Sequence, residues 1–250
     1  MNKIVIQNYL DSTYLKTPQQ AGISEIDTQN KVVDLVQECI DNNFVLAMIR
    51  PEYVSMAKQM VTQANSKVFI GTVIGFHEGT TCLTDKLIEA QKAIDDGVDE
   101  LDYVINYPAY KNGEIKLVEE EILKGTKRGL DNHKKVKWII EIAALTTEQI
   151  ASITTLIRDI VIQNFDKSQH EDVFVKSSTG FFITDDGKPV GATFEGMQII
   201  KENAGPLSIK AAGGVRDYQD AVKMIEIGVS RIGTSSAKKI ANGGKTNENY

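Results

Sequence analysis

A regular alternation of short apolar runs with longer amphipathic stretches, sustained over 250 residues, constrains the fold of this chain more than any other feature. Such an alternation predicts a parallel sheet whose strands are connected by helices. If segment 9–13 is the first strand, eight strand–helix units of roughly 30 residues fill the chain. Eight units close a (β/α)8 barrel in a single α/β domain, whereas an open sheet more often has about five or six strands. The predicted strands are 9–13, 44–49, 68–74, 100–105, 136–142, 173–175, 207–209 and 231–232.

Amphipathic patterns predict the intervening helices. We expect Thr84 and Thr147 to cap two of them, and Gly97 and Gly228 to follow helix ends. The barrel is expected over residues 1–240. Residues 241–250, ANGGKTNENY, are polar and contain glycine, which indicates a flexible C-terminal tail. The predicted helices are 27–42, 84–96, 117–130, 147–163, 191–203 and 218–227.

Composition narrows the functional classes. Hydrophobic residues make up 42% and charged residues 25%, as in ordinary globular proteins. A net charge of −6 argues against nucleic acid as a partner, but not against a small anionic substrate. No apolar run reaches the ~18 residues of a membrane span, and the N-terminus lacks a signal-peptide pattern. Cys39 and Cys82 are isolated, which favours a reducing cytoplasm.

Two lysines end predicted neighbouring strands. Lys176 closes the sixth apolar run and Lys210 closes the seventh. Strand ends face the active site of such a barrel, so Lys176 would enter a partly desolvated mouth that favours the neutral, nucleophilic amine. Two adjacent ammonium groups repel each other, so one pKa falls. A single strand-end lysine more often extends into solvent, and it is the pair that favours a catalytic interpretation.

Other polar residues at strand ends extend this pattern. Asp102 lies within the apolar segment ELDYVIN, where a buried carboxylate needs a partner such as lysine. A purely structural ion pair remains the alternative. Gly213 and Gly214 leave backbone N–H groups open to a phosphate, and Ser235 and Ser236 follow the last strand, where many barrels bind phosphate. Each of these loops alone is equally consistent with an ordinary tight turn.

Several of these segments resemble the deoxyribose-phosphate aldolase family. They run in family order over nearly the whole chain: LDSTYLK (10–16), GTVIGF (71–76), ELDYVIN (100–106), FVKSSTGF (174–181), IKAAGGVR (209–216) and RIGTSS (231–236). The resemblance implies a class I aldolase that reversibly cleaves 2-deoxyribose 5-phosphate to acetaldehyde and glyceraldehyde 3-phosphate without a cofactor or metal ion. It implies that Lys176 forms the Schiff base, that Lys210 tunes it and that Asp102 relays protons. The implied substrate and phosphate contacts are Asp11, Gly180, Gly213, Gly214, Ser235 and Ser236.

Four positions depart from the family pattern and bear on substrate range. Met48, Arg50, His77 and Ile142 stand where the family commonly has cysteine, asparagine, proline and threonine, respectively.

The chain ends in Tyr250. Ten extended residues reach at most ~33–36 Å, and the short helix expected before them is only ~10 Å long, so this phenol can fold back to the mouth. Similar aldolases include members whose tail ends in tyrosine. We therefore predict that Tyr250 transfers a proton at the enamine carbon; a chain end without a role is the alternative.

Two other functions remain open. One is another Schiff-base aldolase or transaldolase acting on a different sugar phosphate. The other is a non-catalytic sugar-phosphate-binding barrel, which has no need of Lys176, Lys210 and Asp102 together. The expected partners are a sugar phosphate and aldehydes, with no nucleic acid or membrane, and a homodimer formed through outer helices is the expected assembly. No metal is expected, because the three histidines show no ligand spacing.

Overall fold

The fold is a closed barrel of parallel strands. A computed structural model describes residues 4–184, 187 and 189–243. Within these ranges eight strands pair in chain order, and the last pairs with the first. The predicted single-domain (β/α)8 fold is thereby confirmed. The strands are β1 (Leu10–Thr13), β2 (Leu46–Ile49), β3 (Phe69–Ile74), β4 (Glu100–Val104), β5 (Lys135–Ile139), β6 (Val173–Lys176), β7 (Ser208–Ala212) and β8 (Arg231–Thr234).

Helices surround the barrel. Their apolar faces pack on the outward side chains of the strands and form one continuous core between the two layers. Burial of this apolar surface is the main driving force for closing the outer layer. In the described ranges the helices are α1 (Pro18–Ala21), α2 (Glu25–Asn42), α3 (Val54–Gln63), α4 (Leu83–Asp95), α5 (Tyr107–Lys111), α6 (Ile115–Asp131), α7 (Thr147–Asn164), α8 (Phe194–Asn203), α9 (Tyr218–Ile227) and α10 (Ala237–Ala241).

The predicted helix boundaries are only partly correct. Gly228 ends α9 in a left-handed conformation (φ 107°), as expected for a residue without a Cβ. Thr84 does not cap α4, because that helix already begins at Leu83. The cap of α7 is Thr146, whose hydroxyl accepts a hydrogen bond from Gln149 N, so the prediction of Thr147 is wrong by one position.

One strand prediction is wrong in a way that matters for the site. The apolar run 136–142 suggests a single strand, but β5 ends at Ile139. Glu141 adopts a left-handed backbone conformation with φ 56° and ψ 71°, which turns the chain into a short 3-10 segment over Ile142–Ala144. The turn places the Glu141 carboxyl group beside the end of β6.

The described C-terminal part of the chain is helical as far as Ala241, one residue into the segment predicted as a tail. Residues 244–250, with Tyr250, lie outside the described part of the structure. No described helix is long and apolar enough to cross a membrane.

Candidate active site

A cavity of about 280 Å³ opens at the carboxyl ends of β6, β7 and β8. This is the end of the barrel at which enzymes of this fold carry their active sites. Lys176 lies on its wall, and the loops after the three strands supply most of the remaining surface. The described lining residues are Thr13, Leu15, Lys176, Thr179, Gly180, Pro189, Val190, Gly191, Ala212, Gly213, Gly214, Val215, Arg216, Gly233, Thr234, Ser235 and Ser236.

Lys176 belongs to a buried network of seven ionisable side chains. Parallel register places Lys176 beside Lys210 on the next strand. The Nζ atoms of these lysines lie 2.8 and 3.0 Å from the same oxygen of Asp102, Oδ2. The other oxygen, Oδ1, accepts a hydrogen bond from Lys137 at 2.6 Å. The buried members are Asp11, Glu100, Asp102, Lys137, Lys176, Lys210 and Arg231.

The other two carboxylates of the network, Asp11 and Glu100, are also paired with cations. Asp11 contacts Lys210 Nζ and Arg231 Nε, each at 2.6 Å. Glu100 contacts Arg231 Nη1 at 3.0 Å and Lys137 Nζ at 2.6 Å. Every buried cation of the network therefore has a carboxylate partner, as the cost of desolvating a charge demands.

The charge count singles out Lys176. The network holds four cationic side chains and three carboxylates, so full ionisation would leave one positive charge uncompensated inside the barrel. Lys176 alone among the seven also lies on the described wall of the cavity. Deprotonation of Lys176 therefore balances the buried charge and produces a free amine where a ligand can reach it.

Burial lowers the pKa of Lys176 to about 8; Asp102 opposes this shift, whereas the positive charges of Lys210 and Lys137 add to it. The pKa of Lys137 is shifted upward, because Asp102 and Glu100 outweigh the effect of burial. For Asp102, burial would raise the pKa, but the surrounding ammonium groups hold it well below 3.8. One network thus keeps Lys137 charged and gives Lys176 a substantial neutral fraction near pH 7.

Another part of the barrel interior, separate from the ion network, is apolar. Leu15, which lines the cavity with Lys176, belongs to a small cluster inside the barrel. The rings of Phe76 and Phe181 meet edge to face above it, with centroids 5.0 Å apart. Apolar surface on the same cavity adds to the desolvation of Lys176, which favours its neutral form. The buried cluster comprises Leu15, Leu46, Met48 and Val73.

The loops after β7 and β8 form another wall of the cavity, and there the backbone of Gly214 lies close to the backbone of Ala192. Gly214 has a left-handed conformation (φ 77°), and a Cβ there would lie 2.7 Å from Ala192 O. Ser235 and Ser236 add hydroxyl groups, and Arg216 adds a positive charge. Because the described lining residues include the positively charged Arg216 and no carboxylate, the cavity suits an anionic ligand.

Known proteins with similar sequences decide the family. No family model matches the chain. A deoxyribose-phosphate aldolase of Thermococcus kodakarensis is 36% identical over 244 residues, which cover 97% of this chain and 98% of that protein. The chain belongs to the deoxyribose-phosphate aldolase family.

Other members of the family agree. A deoxyribose-phosphate aldolase of Streptococcus pneumoniae is 35% identical over 246 residues, covering 98% of this chain and 99% of that protein. Among solved structures, the tetrameric deoxyribose phosphate aldolase of Aeropyrum pernix matches with a TM-score of 0.75 at 28% identity, over 95% of this chain and 89% of that one. The resemblance stated from the sequence motifs is confirmed, and the chain is an aldolase of this family.

The structure brings together most residues that the sequence singled out for this aldolase. Lys176, Lys210 and Asp102 meet in one network, and the five glycines and serines assigned to phosphate all line the cavity. Asp11 is fully buried, forms ion pairs with Lys210 and Arg231, and is absent from the described cavity wall. Its contact with the substrate stays a prediction.

Sequence reasoning missed four residues of the aldolase site. Lys137 and Arg231 complete the ion network, Arg216 lines the cavity, and Glu141 binds the loop after β6. Lys137 and Arg231 lie within apolar strands, the same signal that identified Asp102. The signal for Arg216 was its place after two glycines, whereas nothing in the apolar run around Glu141 predicted its turn.

The four departures from the family pattern occupy different places in the aldolase. Met48 is buried in the apolar cluster and Ile142 in the outer core. Arg50 donates from Nε to Leu15 O at 2.7 Å and lies 5.3 Å from the centroid of the Phe76 ring. His77 stacks on Phe181 at 5.5 Å. In the part of the chain that the structure describes, no three His, Cys, Asp or Glu side chains are grouped so as to hold a metal ion.

Proposed function

We propose that this aldolase reversibly cleaves 2-deoxyribose 5-phosphate to acetaldehyde and glyceraldehyde 3-phosphate through a Schiff base on Lys176. The proposal rests on a buried amine with a pKa of about 8 that lies on the wall of the cavity. In the same cavity, the loops after β7 and β8 form a surface that suits an anion. A neutral amine attacks a carbonyl carbon, and in this proposal the loops after β6, β7 and β8 receive the phosphate.

The proposed reaction begins with Lys176. Its neutral amine adds to C1 of the open-chain sugar, and loss of water gives an iminium ion. The C3 hydroxyl loses its proton, the C2–C3 bond breaks, and its electron pair moves into the iminium. Glyceraldehyde 3-phosphate leaves, and the enamine takes a proton at C2. Addition of water then releases acetaldehyde and restores the amine, so atoms and electrons balance.

Asp102 and Lys210 suit the proton transfers of this cycle. The Oδ2 atom of Asp102 contacts both lysine amines, so it is placed to exchange protons with the carbinolamine through water. Lys210 is held between Asp102 and Asp11, which fixes its position beside the reacting amine. In this proposal Asp11 positions Lys210.

The phosphate would lie against the loops after β6, β7 and β8. Gly180, Gly213 and Gly214 expose backbone, while Ser235 and Ser236 offer hydroxyl groups. Arg216 adds charge-assisted hydrogen bonding. Binding the phosphate at this end leaves the aldehyde end of the sugar toward Lys176, which is the orientation that the chemistry needs.

A product assay tests this function against its alternatives. Incubation with 2-deoxyribose 5-phosphate should release acetaldehyde and glyceraldehyde 3-phosphate in equal amounts, each measured with a coupled dehydrogenase. Fructose 1,6-bisphosphate and transaldolase substrates should be cleaved far more slowly. Faster turnover of either would indicate another Schiff-base aldolase. Binding without turnover of any sugar phosphate would indicate a non-catalytic barrel.

Tyr250, which lies outside the described residues, stays a proposal for the proton donor at C2. Tyr250→Phe should lower turnover at least ~10-fold, the lower part of the range for general acid–base catalysis. It should also slow solvent deuterium exchange into the methyl group of acetaldehyde, with the melting temperature unchanged. Wild-type turnover and exchange in this variant would remove Tyr250 from the mechanism.

We also propose a cytoplasmic homo-oligomer. Cys39 and Cys82 are both free thiols, consistent with a reducing compartment. The relative from Aeropyrum pernix is tetrameric, and a homodimer through outer helices remains our expectation for this chain. Sedimentation equilibrium of the purified protein would measure its assembly.

A further inference from the structure

Glu141 is a buried titratable group to which the proposed reaction assigns no role. It lies two residues beyond the end of β5, is fully buried and has a left-handed backbone. This conformation is uncommon for a residue other than glycine and persists only when its surroundings enforce it. Two backbone hydrogen bonds along β6 provide that enforcement, from Ile140 N to Lys176 O at 3.0 Å and from Ile142 N to Ser177 O at 2.9 Å.

The Glu141 carboxyl group binds the loop that carries the cavity wall. Its Oε2 atom accepts a hydrogen bond from Thr179 N at 3.1 Å and a second from the Thr179 hydroxyl group. The same hydroxyl oxygen accepts from Phe181 N at 3.0 Å. Three hydrogen bonds thus fix the turn around Gly180, and both Thr179 and Gly180 line the cavity.

The surroundings of this carboxyl group indicate more than a structural contact. Its second oxygen, Oε1, is buried and has no hydrogen-bond partner among the described residues. An unsatisfied buried polar atom is unfavourable, so the fold tolerates an unfavourable group here. Burial raises the pKa of Glu141 to about 7, while the hydrogen bonds from Thr179 and the charge of Lys176 act in the opposite direction.

We propose that Glu141 is a positioning residue: through Thr179 it holds the loop 177–181 in the shape that binds the substrate phosphate. The inference rests on the proposed function, because it uses the phosphate wall assigned there. Lys176 itself is fixed by the strand ladder and by Asp102. Loss of the Glu141 carboxyl group therefore weakens phosphate binding and leaves the reactivity of the lysine largely intact.

The experiment separates phosphate binding from lysine chemistry. Calorimetry measures the Kd of inorganic phosphate, and borohydride with acetaldehyde measures the trapping rate at Lys176, a reaction that needs no phosphate. Glu141→Ala should raise the Kd for inorganic phosphate and the KM for 2-deoxyribose 5-phosphate at least ~10-fold, since displacements of about 1 Å have effects of this size or larger. Its kcat and trapping rate should change less than ~3-fold.

Two further variants test the contact between Glu141 and Thr179. Glu141→Gln keeps an acceptor oxygen for Thr179 and should restore most of the lost affinity. Thr179→Val removes the hydroxyl group that bonds both Glu141 and Phe181 N, should raise the Kd on its own, and replaces Glu141→Ala in the test if that variant does not fold. The double variant should raise the Kd by less than the product of the two single effects, because both changes break the connection between Glu141 and Thr179. Glu120→Ala, on the exposed face of α6, is the matched control.

Unchanged phosphate affinity in folded Glu141→Ala and Thr179→Val would overturn the inference. So would a trapping rate that falls as much as the affinity, because Glu141 would then act on Lys176. Failure of the wild-type protein to cleave the sugar phosphate would instead refute the proposed function, while the effect on inorganic phosphate would still decide the role of Glu141.

Discussion

Lys176→Met should lower turnover of 2-deoxyribose 5-phosphate by at least ~10⁴-fold, because the covalent route disappears with the amine, and loss of an enzyme nucleophile typically costs this much or more. Methionine fills a similar volume and places no charge in the barrel. The variant should stay folded, since Asp102 keeps its ion pairs with Lys137 and Lys210. Acetaldehyde release and the melting temperature measure the two parts of this expectation.

A matched control is available on the neighbouring strand. Lys135 lies at the start of β5, is partly exposed and pairs with Asp172 at 2.6 Å, remote from the cavity. Lys135→Met should retain turnover within ~2-fold, as surface ion pairs contribute little. Substantial residual turnover in Lys176→Met would mean that another group supplies the nucleophile or that the reaction needs no covalent intermediate.

Lys210→Leu should lower turnover at pH 7 by two to three powers of ten, on the order of the change in neutral amine. With a pKa of about 8, roughly a tenth of Lys176 is neutral at pH 7. Without the positive charge of Lys210, the pKa of Lys176 rises toward 10.5, while burial and Lys137 still hold it below that value. A full return to 10.5 is the upper limit and would reduce the neutral fraction about 300-fold. Loss of a proton-transfer partner for Asp102 adds to this effect.

The pH profile distinguishes these two contributions. The wild-type trapping rate should rise with pH and level off above about 8, because the neutral amine is the reactive form. In Lys210→Leu the rise should move to higher pH, because one of the causes that lower the pKa of Lys176 is gone, and the trapping rate should partly recover there. A low rate that stays flat between pH 7 and 10 would assign Lys210 to proton transfer alone. Wild-type activity at every pH would refute both roles.

The sequence was sufficient to predict the barrel and the residues at its strand ends. Eight apolar runs at regular spacing required closure, and polar residues at the ends of those runs marked Lys176 and Lys210. This worked because every strand of a parallel barrel points its carboxyl end at the same mouth. Residues far apart in sequence, such as Asp102 and Lys210, therefore meet in space without any local signal connecting them.

The interior of the barrel was less predictable. Lys137 carries the signal that identified Asp102, a charged residue within an apolar strand, but its partners Asp102 and Glu100 lie on another strand and no local pattern connects them with it. Asp11 was assigned to the substrate from the family resemblance, and its ion pair with Arg231, 220 residues away in the sequence, could not be inferred. The Glu141 turn was missed because its backbone conformation is enforced by contacts with β6 and not by local sequence.

The most direct test of this account is borohydride trapping with acetaldehyde, followed by peptide mass mapping of the wild-type protein. Reduction of the Schiff base should leave one ethyl group on the peptide that contains Lys176 and abolish activity in proportion to labelling. Lys137 and Lys210, buried in the same network but absent from the described cavity wall, should stay unmodified. An ethyl group on either of those lysines, or full activity without any label, would contradict the account.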